Sequence, residues 1–263
     1  MTRRSVEAWL FCCMFPATAA AAEPLHTDTL LSVQVDGGHE QRGVLTMVMG
    51  DTPATLVLLF PGDPAVLNAE VLDARLVKSR VGGNPLVRSR NLLVRPGLAT
   101  VLVDCRSDHV EVCGESYVMS AQRFEDVMKL TRELKQLLPG VRKTWVVGHS
   151  AGSLASASFA RHGEKAIDGA IHVSTILFHR AMYKSLVGFD FSSARAPQLF
   201  IHHRHDPCPG TPYALVDAAA SRYKIRLTTI TASAPGKGGA CGPYSEHGFV
   251  GAEPSSWRRS MMR

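Results

Sequence analysis

One stretch decides the fold: Trp145-Val146-Val147-Gly148-His149-Ser150-Ala151-Gly152-Ser153-Leu154-Ala155. Its apolar first residues are typical of a strand, its centre has the pattern Gly-x-Ser-x-Gly, and small residues that suit a helix follow directly. In a strand, sharp turn and helix of this kind, the serine hydroxyl is exposed at the edge of a sheet. A side chain at Gly148 or Gly152 would crowd such a turn, which favours glycine at both positions. The pattern predicts that Ser150 is a nucleophile; the alternative is an ordinary turn between a strand and a helix.

Apolar runs that end in turn residues recur along the chain and predict further strands. Their residue ranges are 30–35, 43–49, 55–60, 99–103, 143–147, 167–173, 198–202 and 225–231. The first two are expected to pair antiparallel across the turn Asp36-Gly37-Gly38. Because the others alternate with helical segments, the sequence predicts one α/β domain with a mostly parallel sheet and helices on both faces.

Three further segments carry signals for helices. Ser120 is a typical N-cap residue, apolar residues recur at helical spacing over 124–138, and Pro139-Gly140 ends that helix. A second helix is predicted over 212–223, and Asn84-Pro85 marks the start of a third.

The first 22 residues have the organisation of a signal peptide. Arg3 and Arg4 form a basic start, residues 8–15 are apolar, and an Ala-x-Ala motif that ends at Ala22 is typical of a cleavage site. The apolar run is too short to cross a bilayer as a helix. We therefore expect cleavage near Ala22, a single mature domain over residues 23–263, and a periplasmic or secreted protein without stable membrane insertion.

The charge balance bears on possible partners. The chain of 263 residues has 29 basic and 23 acidic residues, a net charge of +6 with neutral histidines. The basic residues are scattered along the sequence, whereas nucleic-acid-binding proteins concentrate them in one stripe or patch. We therefore expect no nucleic-acid partner.

A serine hydroxyl is a poor nucleophile unless a base accepts its proton and a third group orients that base. Asp206 follows the predicted strand 198–202 and is the candidate acid, although an Asp-Pro pair also forms plain turns. His247 lies in a glycine-rich loop after the last predicted strand and is the candidate base; the alternative is an ordinary surface histidine. Asp168 and Asp190 are rival acids, but neither follows a strand at the corresponding place. The order serine, aspartate, histidine is that of one class of serine hydrolase.

An oxyanion formed by attack at a carbonyl needs two preorganised N–H donors. Ala151 directly follows the candidate nucleophile at the start of the predicted helix, which makes its N–H the first candidate. The second is the N–H of Asp63, in the loop after strand 55–60, where Gly62 allows a close approach of the backbone. The alternative for this loop is an ordinary Pro-Gly turn.

Four cysteines would remain in the mature chain: Cys105, Cys113, Cys208 and Cys241. In an exported protein this number favours two disulfides, for which three pairings are possible. We favour Cys208–Cys241, because it would connect the loop of the candidate acid to the loop of the candidate base. The other bridge would then be Cys105–Cys113, which would close the loop after a predicted strand.

A metal site is a weaker interpretation of the same region. His202, His203 and His205 lie close to Asp206 in the sequence, and histidine and aspartate are common zinc ligands. No second group of ligands stands out, and a serine nucleophile needs no metal, so we expect no metal and no cofactor. His149, next to the candidate nucleophile, is expected to pack near the turn rather than to act as the base.

Taken together, these residues resemble the α/β-hydrolase superfamily over essentially the whole mature chain, and more closely a group of exported bacterial α/β-hydrolases. The resemblance rests on Phe60-Pro61-Gly62-Asp63, Leu86-Val87-Arg88-Ser89-Arg90, Val103-Asp104, the stretch around Ser150, the run from His202 to Cys208, and the segment from Cys241 to Glu253. It implies the α/β-hydrolase fold and hydrolysis by a triad of Ser150, His247 and Asp206. The chain departs from these relatives at its C-terminus, where a short basic tail over 254–263, which could form a short helix, replaces a longer amphipathic helix.

The short segment between the strands that end at Val173 and begin at Gln198 excludes a large lid domain. Its apolar residues could line a small cap over the site or belong to the core: Phe178, Met182, Tyr183, Leu186, Phe189 and Phe191. The expected substrate is a small-molecule ester or other acyl compound, with an ester as the first choice because its leaving group needs least assistance. A peptidase or amidase is the alternative, and a catalytically silent periplasmic binding protein with the same fold is an alternative of a different class.

Overall fold

The computed structural model describes residues 25–163, 165–178, 185–194 and 196–252. Its strands are β1 (His26–Val35), β2 (His39–Val48), β3 (Thr55–Phe60), β4 (Glu70–Leu72), β5 (Arg75–Lys78), β6 (Leu98–Arg106), β7 (Lys143–His149), β8 (Gly169–Val173), β9 (Gln198–His203) and β10 (Arg226–Ile230). β4 and β5 form a separate hairpin, and the other eight strands form one sheet. Every strand that the sequence predicts is present, with bounds that differ by a few residues.

The order of the strands across the sheet is β1-β2-β6-β3-β7-β8-β9-β10. β1 pairs antiparallel with β2 across the turn Asp36–Gly38, where Gly37 and Gly38 have φ of +76° and +73°, and β2 is antiparallel to β6. All the remaining neighbours are parallel, which confirms the predicted sheet. The C-terminal ends of β3, β7, β8 and β9 therefore meet at one edge of the sheet, where ligands bind in sheets of this kind.

The helices are α1 (Pro85–Arg88), α2 (Arg90–Leu93), α3 (Glu115–Val118), α4 (Ala121–Leu137), α5 (Gly152–His162) and α6 (Tyr213–Tyr223). The apolar sides of α4, α5 and α6 pack against one face of the sheet, in a core that includes Leu58, Val146, Phe159 and Phe200. α1, α2 and the loop around Phe249 cover the opposite face. Helices thus lie on both faces of the sheet, as predicted.

α4 shows how local sequence signals become structure. Oγ of Ser120 accepts a hydrogen bond from the N–H of Arg123 (3.0 Å) and caps the first turn. Val127, Leu130 and Leu134 recur at intervals of three and four residues, and all three are buried. The helix ends just before the Pro-Gly pair that predicted its end.

The hairpin of β4 and β5 lies in a segment for which the sequence predicted no strand. The hairpin turn is formed by Asp73 and Ala74, with φ of +47° and +55°. Turns of this kind are recognised in sequences by glycine or asparagine, so alanine gave no signal. The hairpin depends on β1 instead: the N–H of Asp28 donates to the Ala74 carbonyl (2.8 Å), and Oδ2 of Asp28 accepts from the N–H of Leu76 (2.8 Å).

Two predictions concern residues that lie outside the described ranges: the signal peptide over 1–22 and the tail over 254–263. The start of the mature domain at residue 23 is therefore still an expectation from the sequence. Within the described ranges, none of the helices combines the length and the apolar character that crossing a membrane requires.

Candidate active site

Ser150 lies on a strained turn between β7 and α5. Its φ is +56°, a left-handed conformation that residues other than glycine rarely adopt, and its N–H donates to the Val173 carbonyl (2.9 Å). A Cβ on Gly148 would lie 2.0 Å from the carbonyl oxygen of Gly152, and a Cβ on Gly152 would lie 2.0 Å from the carbonyl oxygen of Phe60. Both positions therefore require glycine. The surrounding packing holds Ser150 in its strained conformation.

His247 reaches the same edge of the sheet from the loop after β10. It lies in a single turn of 3-10 helix (Glu246–Gly248), and its ring is buried. Its Nδ1 lies 3.1 Å from Oδ2 and 3.2 Å from Oδ1 of Asp206, which follows β9. Because a carboxylate can only accept hydrogen bonds, Nδ1 of the neutral ring carries the proton and Nε2 is the unprotonated nitrogen. This is the tautomer that can accept a proton from a serine.

Asp206 is held by several hydrogen-bond donors. Its Oδ1 accepts from the N–H of Cys208 (2.9 Å), and its Oδ2 accepts from Oγ1 of Thr211 (2.9 Å) and lies 3.3 Å from Nε2 of His202. Burial raises the pKa of Asp206, but the hydrogen bonds from His202 and His247 outweigh burial and hold that pKa well below its usual range. The side chain is therefore a carboxylate at neutral pH and can stabilise a protonated His247.

Ser150 and His247 line one cavity of about 490 Å³. The rest of its wall comes from the end of β7, from the loops after β3, β8, β9 and β10 and from the segment before α1: Gly62, Asp63, Pro64, Arg80, Val81, Gly83, Asn84, His149, Ile176, Phe178, Cys208, Pro209, Gly210, Cys241 and Pro243. A cavity of this volume is of the size that binds small molecules.

The two candidate oxyanion donors lie beside Ser150. A Cβ on Gly62 would lie 3.1 Å from Cβ of Ser150, and Asp63 follows Gly62 in the cavity wall. Ala151 directly precedes the first turn of α5, where backbone N–H groups point out of the helix. Neither the N–H of Asp63 nor that of Ala151 has an acceptor among the residues that the structure describes, so both can bind a substrate oxygen.

His149 is buried beside the turn, as expected from the sequence. Both of its ring nitrogens have partners, the side chain of Asn84 and the carbonyl oxygen of His247. Burial, and to a lesser degree the neighbouring His247, lower the pKa of His149 to about 3. The ring is therefore neutral at physiological pH, and with both nitrogens in hydrogen bonds it is not placed to act as the base.

The histidines near Asp206 have separate partners. Nε2 of His202 lies 2.9 Å from the Thr211 carbonyl oxygen, and Nε2 of His203 lies 3.3 Å from a backbone carbonyl in the loop after β10. The N–H of His205 donates to Nδ1 of His203. No group of three or more histidine, cysteine, aspartate or glutamate side chains in the described part of the chain could hold a metal ion. His202 is instead a hydrogen-bonding neighbour of the candidate acid.

The apolar residues between β8 and β9 divide into two groups. Phe178 is 47% exposed and lines the cavity. Three others are buried in the core of the domain: Leu186, Phe189 and Phe191. Met182 and Tyr183 lie outside the described residues. Of the four residues of this set that the structure describes, Phe178 is therefore the one that lines the cavity.

Arg88 holds the loop of the candidate base, a role that the sequence did not indicate. Its guanidinium donates to the carbonyl oxygens of Gly83, Pro243 (3.0 Å) and Gly248 (2.6 Å). Arg88 and Gly248 are 160 positions apart, so no local pattern could reveal their contact. The one signal was the presence of Arg88 in the run 86–90, on which the family resemblance partly rests.

Both favoured disulfides are formed in the structure. The Cα atoms of Cys208 and Cys241 are 4.5 Å apart, and those of Cys105 and Cys113 are 5.6 Å apart. The first bridge connects the loop after β9 to the loop after β10. It therefore joins the loops that carry the candidate acid and the candidate base.

Reduction is expected to destabilise the protein. A cross-link restricts the unfolded chain, and its effect grows with the length of the loop that it closes. Breaking Cys208–Cys241, with a sequence separation of 33, should lower the free energy of unfolding by about 3–4 kcal/mol. Breaking Cys105–Cys113, with a sequence separation of 8, should lower the free energy of unfolding by about 2–3 kcal/mol. Thermal unfolding with and without reductant measures the combined effect of losing both bridges. Variants in which both cysteines of one bridge are replaced by serine measure the effect of each bridge separately. A melting temperature that reductant leaves unchanged would contradict the expectation.

Several solved structures are similar to this chain. A serine hydrolase without a lid from Xanthomonas campestris has a TM-score of 0.55 at 15% identity, over 89% of this chain and 95% of that one. A cold-adapted esterase from an Arctic intertidal metagenomic library has a TM-score of 0.55 at 16% identity, over 79% of this chain and 85% of that one. An acylaminoacyl peptidase from Pyrococcus horikoshii has a TM-score of 0.55 at 12% identity, over 89% of this chain and 40% of that one.

No family model matches the chain, and neither does any curated protein. At the identities of the solved structures, the likeness concerns the fold. Together with the strand order, it confirms that the chain has the predicted α/β-hydrolase fold.

Proposed function

We propose that this protein is a serine hydrolase that acts by acyl transfer on small carboxylic esters. One observation carries the proposal: Ser150, in its strained conformation, and His247 line the same cavity, and Nδ1 of His247 is hydrogen-bonded to the Asp206 carboxylate. Holding a serine at positive φ costs of order 1–3 kcal/mol, and residues held in such conformations are concentrated at active sites and ligand-binding sites. A nucleophile, an oriented base and free N–H donors at one cavity support acyl transfer.

In this mechanism, Nε2 of His247 accepts the proton of Ser150 as the serine oxygen attacks the carbonyl carbon. The Asp206 carboxylate stabilises the protonated imidazole, and the N–H groups of Asp63 and Ala151 donate to the oxyanion. His247 then gives its proton to the leaving alcohol, and an acyl-enzyme remains. Water attacks the acyl-enzyme with His247 again as base, which releases the carboxylic acid and restores Ser150.

Esters are the first choice of substrate because an alcohol leaves with less assistance than an amine. The apolar side chains of Val81, Ile176 and Phe178 in the cavity wall suit a short acyl or alkyl chain. A peptidase or amidase is the second candidate, since an acylaminoacyl peptidase has a similar fold. The rates at which the protein hydrolyses an ester and an anilide of the same acid distinguish an esterase from a peptidase or amidase. Faster hydrolysis of the anilide would favour the peptidase or amidase.

We also propose that the protein acts in the periplasm or outside the cell. Residues 1–22 have the organisation of a signal peptide, and two disulfides are typical of an oxidising compartment. Sequencing of the exported protein tests this, because its first residue should then be Glu23.

A fluorophosphonate probe tests the proposed nucleophile directly. An activated serine oxygen attacks phosphorus and displaces fluoride, and its proton passes to the base, so that a stable covalent adduct forms. We expect one adduct per folded molecule, on the peptide that contains Ser150, and none on heat-denatured protein. A catalytically silent binding protein would show no labelling in either state, and that result would exclude the proposed function.

A further inference from the structure

His149 precedes the candidate nucleophile and connects three parts of the site. It is 2% exposed and lines the cavity beside Ser150. Its Nδ1 lies 3.1 Å from Nδ2 of Asn84, directly before α1, and its Nε2 lies 3.0 Å from the carbonyl oxygen of His247. The centroids of the His149 and His247 rings are 5.0 Å apart. We refer to the two hydrogen bonds from Asn84 through His149 to His247 as the Asn84–His149 bridge.

The side chain of Asn84 decides which nitrogen of His149 carries the proton. Oδ1 of Asn84 accepts from the N–H of Leu86 (3.0 Å), so its Nδ2 faces His149. An amide nitrogen can only donate, so Nδ1 of His149 accepts and Nε2 carries the proton. Nε2–H therefore donates to the His247 carbonyl, which also accepts from Oγ of Ser174 (3.0 Å).

The main chain of His247 is thus held by two donors from strand ends that flank the nucleophile, His149 at the end of β7 and Ser174 after β8. The ring of His247 is held separately, through Nδ1, by Asp206. With both ends of the residue anchored, the distance from its Nε2 to Ser150 depends on these anchors. An apolar residue would fill the space of His149 without the cost of burying an imidazole, so packing alone does not explain a histidine here.

We propose that His149 is a positioning residue: through the Asn84–His149 bridge it holds the main chain of His247 so that Nε2 of that residue meets the Ser150 hydroxyl. This inference rests on the proposed function. His149 itself transfers no proton, because both of its nitrogens are engaged in the bridge. Loss of its donor should slow the chemical step while the substrate-binding wall stays in place, so kcat should fall and KM should change little.

Three variants test this role. His149→Leu removes the donor, and His149→Gln keeps an N–H donor near the position of Nε2. His172→Leu is the matched control. His172 is also fully buried, and its ring nitrogens bond to Oγ of Ser156 (2.7 Å) and Oε1 of Gln198 (3.1 Å), but none of these three residues lines the cavity.

With 4-nitrophenyl acetate as substrate, we expect kcat of His149→Leu to fall about 10- to 100-fold per folded molecule, with KM within about threefold of wild type. His149→Gln should recover most of this loss. His172→Leu should keep its kcat within about twofold of wild type even though its melting temperature falls. Equal losses of kcat in the two leucine variants, or an unchanged kcat in His149→Leu, would overturn the inference.

Nitrogen-15 NMR of the wild-type protein gives a readout that needs neither turnover nor a folded variant. At neutral pH, Nε2 of His149 should be the protonated nitrogen and Nδ1 the unprotonated one. A proton on Nδ1 would overturn the inference even if the enzyme is active. Absence of both turnover and Ser150 labelling in the wild type would instead overturn the proposed function, so the two failures are distinguishable.

Discussion

Replacing Ser150 with alanine is expected to abolish hydrolysis of an activated short-chain ester, with kcat reduced at least about 10⁴-fold. The Ser150 oxygen is the atom that would bond to the acyl group, and alanine has no replacement for it. Alanine keeps the Cβ atom, so the strain of a φ of +56° is the same in both proteins and folding should be unaffected. Steady-state kinetics with 4-nitrophenyl acetate measure kcat, and a melting curve measures whether the variant is as stably folded as the wild type.

Ser158→Ala is the matched control for this experiment. Ser158 lies in α5, which begins just after Ser150, and is buried, with its Oγ donating to the Met119 carbonyl (3.2 Å). It does not line the cavity, so its variant should hydrolyse the ester at the wild-type rate. If pure, folded Ser150→Ala retained turnover, another group would be the nucleophile and the proposed mechanism would be wrong.

Replacing Asp206 with asparagine should lower kcat by about 10³- to 10⁴-fold. The groups around this carboxylate, including the Cys208 N–H, the Thr211 hydroxyl and Nδ1–H of His247, are all donors. The amide of asparagine must turn its NH₂ group towards one of them. If it faces His247, Nδ1 becomes the acceptor and Nε2 carries the proton, and the ring can no longer accept the serine proton.

The same variant should change how stability depends on pH. The pKa of Asp206 in the folded protein lies below its unfolded value. Its carboxylate therefore stabilises the fold at pH above the unfolded pKa, and this stabilisation is lost as the pH falls through the folded pKa. Asparagine does not titrate, so the stability gap between wild type and Asp206→Asn should be widest near neutral pH and begin to narrow below about pH 4. Urea unfolding over this range measures the gap.

Asp190→Asn is the control for the kinetic measurement. Asp190 was a rival acid in the sequence, but it is exposed and its Oδ1 accepts from the N–H of Ser192 (3.0 Å). The other rival, Asp168, precedes β8 and so lies at the opposite edge of the sheet from Ser150. A fall in kcat of Asp190→Asn comparable to that of Asp206→Asn would remove the case for Asp206 as the acid.

The fold could be predicted because its elements follow from local patterns. Apolar runs marked the strands, since a strand covered on both faces must be apolar along its length. Ser120 marked the start of α4, since a side-chain oxygen at that place satisfies a backbone N–H that the helix leaves unpaired. The hairpin of β4 and β5 was missed because its turn uses Asp73 and Ala74, and because β1, rather than its own sequence, holds it.

For the candidate site, local sequence was sufficient to predict the features that depend on steric contacts between residues a few positions apart. Gly148 is needed because a Cβ there would collide with the carbonyl oxygen of Gly152, a contact within the turn itself. The pattern also marked Gly152, although a Cβ there would collide with the carbonyl oxygen of Phe60 in β3, a contact that exists only in the folded sheet. The predicted strands that Asp206 and His247 follow along the chain then indicated that these two residues could reach Ser150.

Tertiary structure alone decided which groups hold the candidate base in place. Nε2 of His149 donates to the carbonyl of His247, 98 positions away, and Arg88 donates to that of Gly248, 160 positions away. A hydrogen bond needs its two atoms within about 3 Å and in line, and packing of the whole domain determines which distant groups meet that condition. A local pattern can mark the serine and its glycines, but the position of His247 depends on partners that are neighbours only in the folded chain.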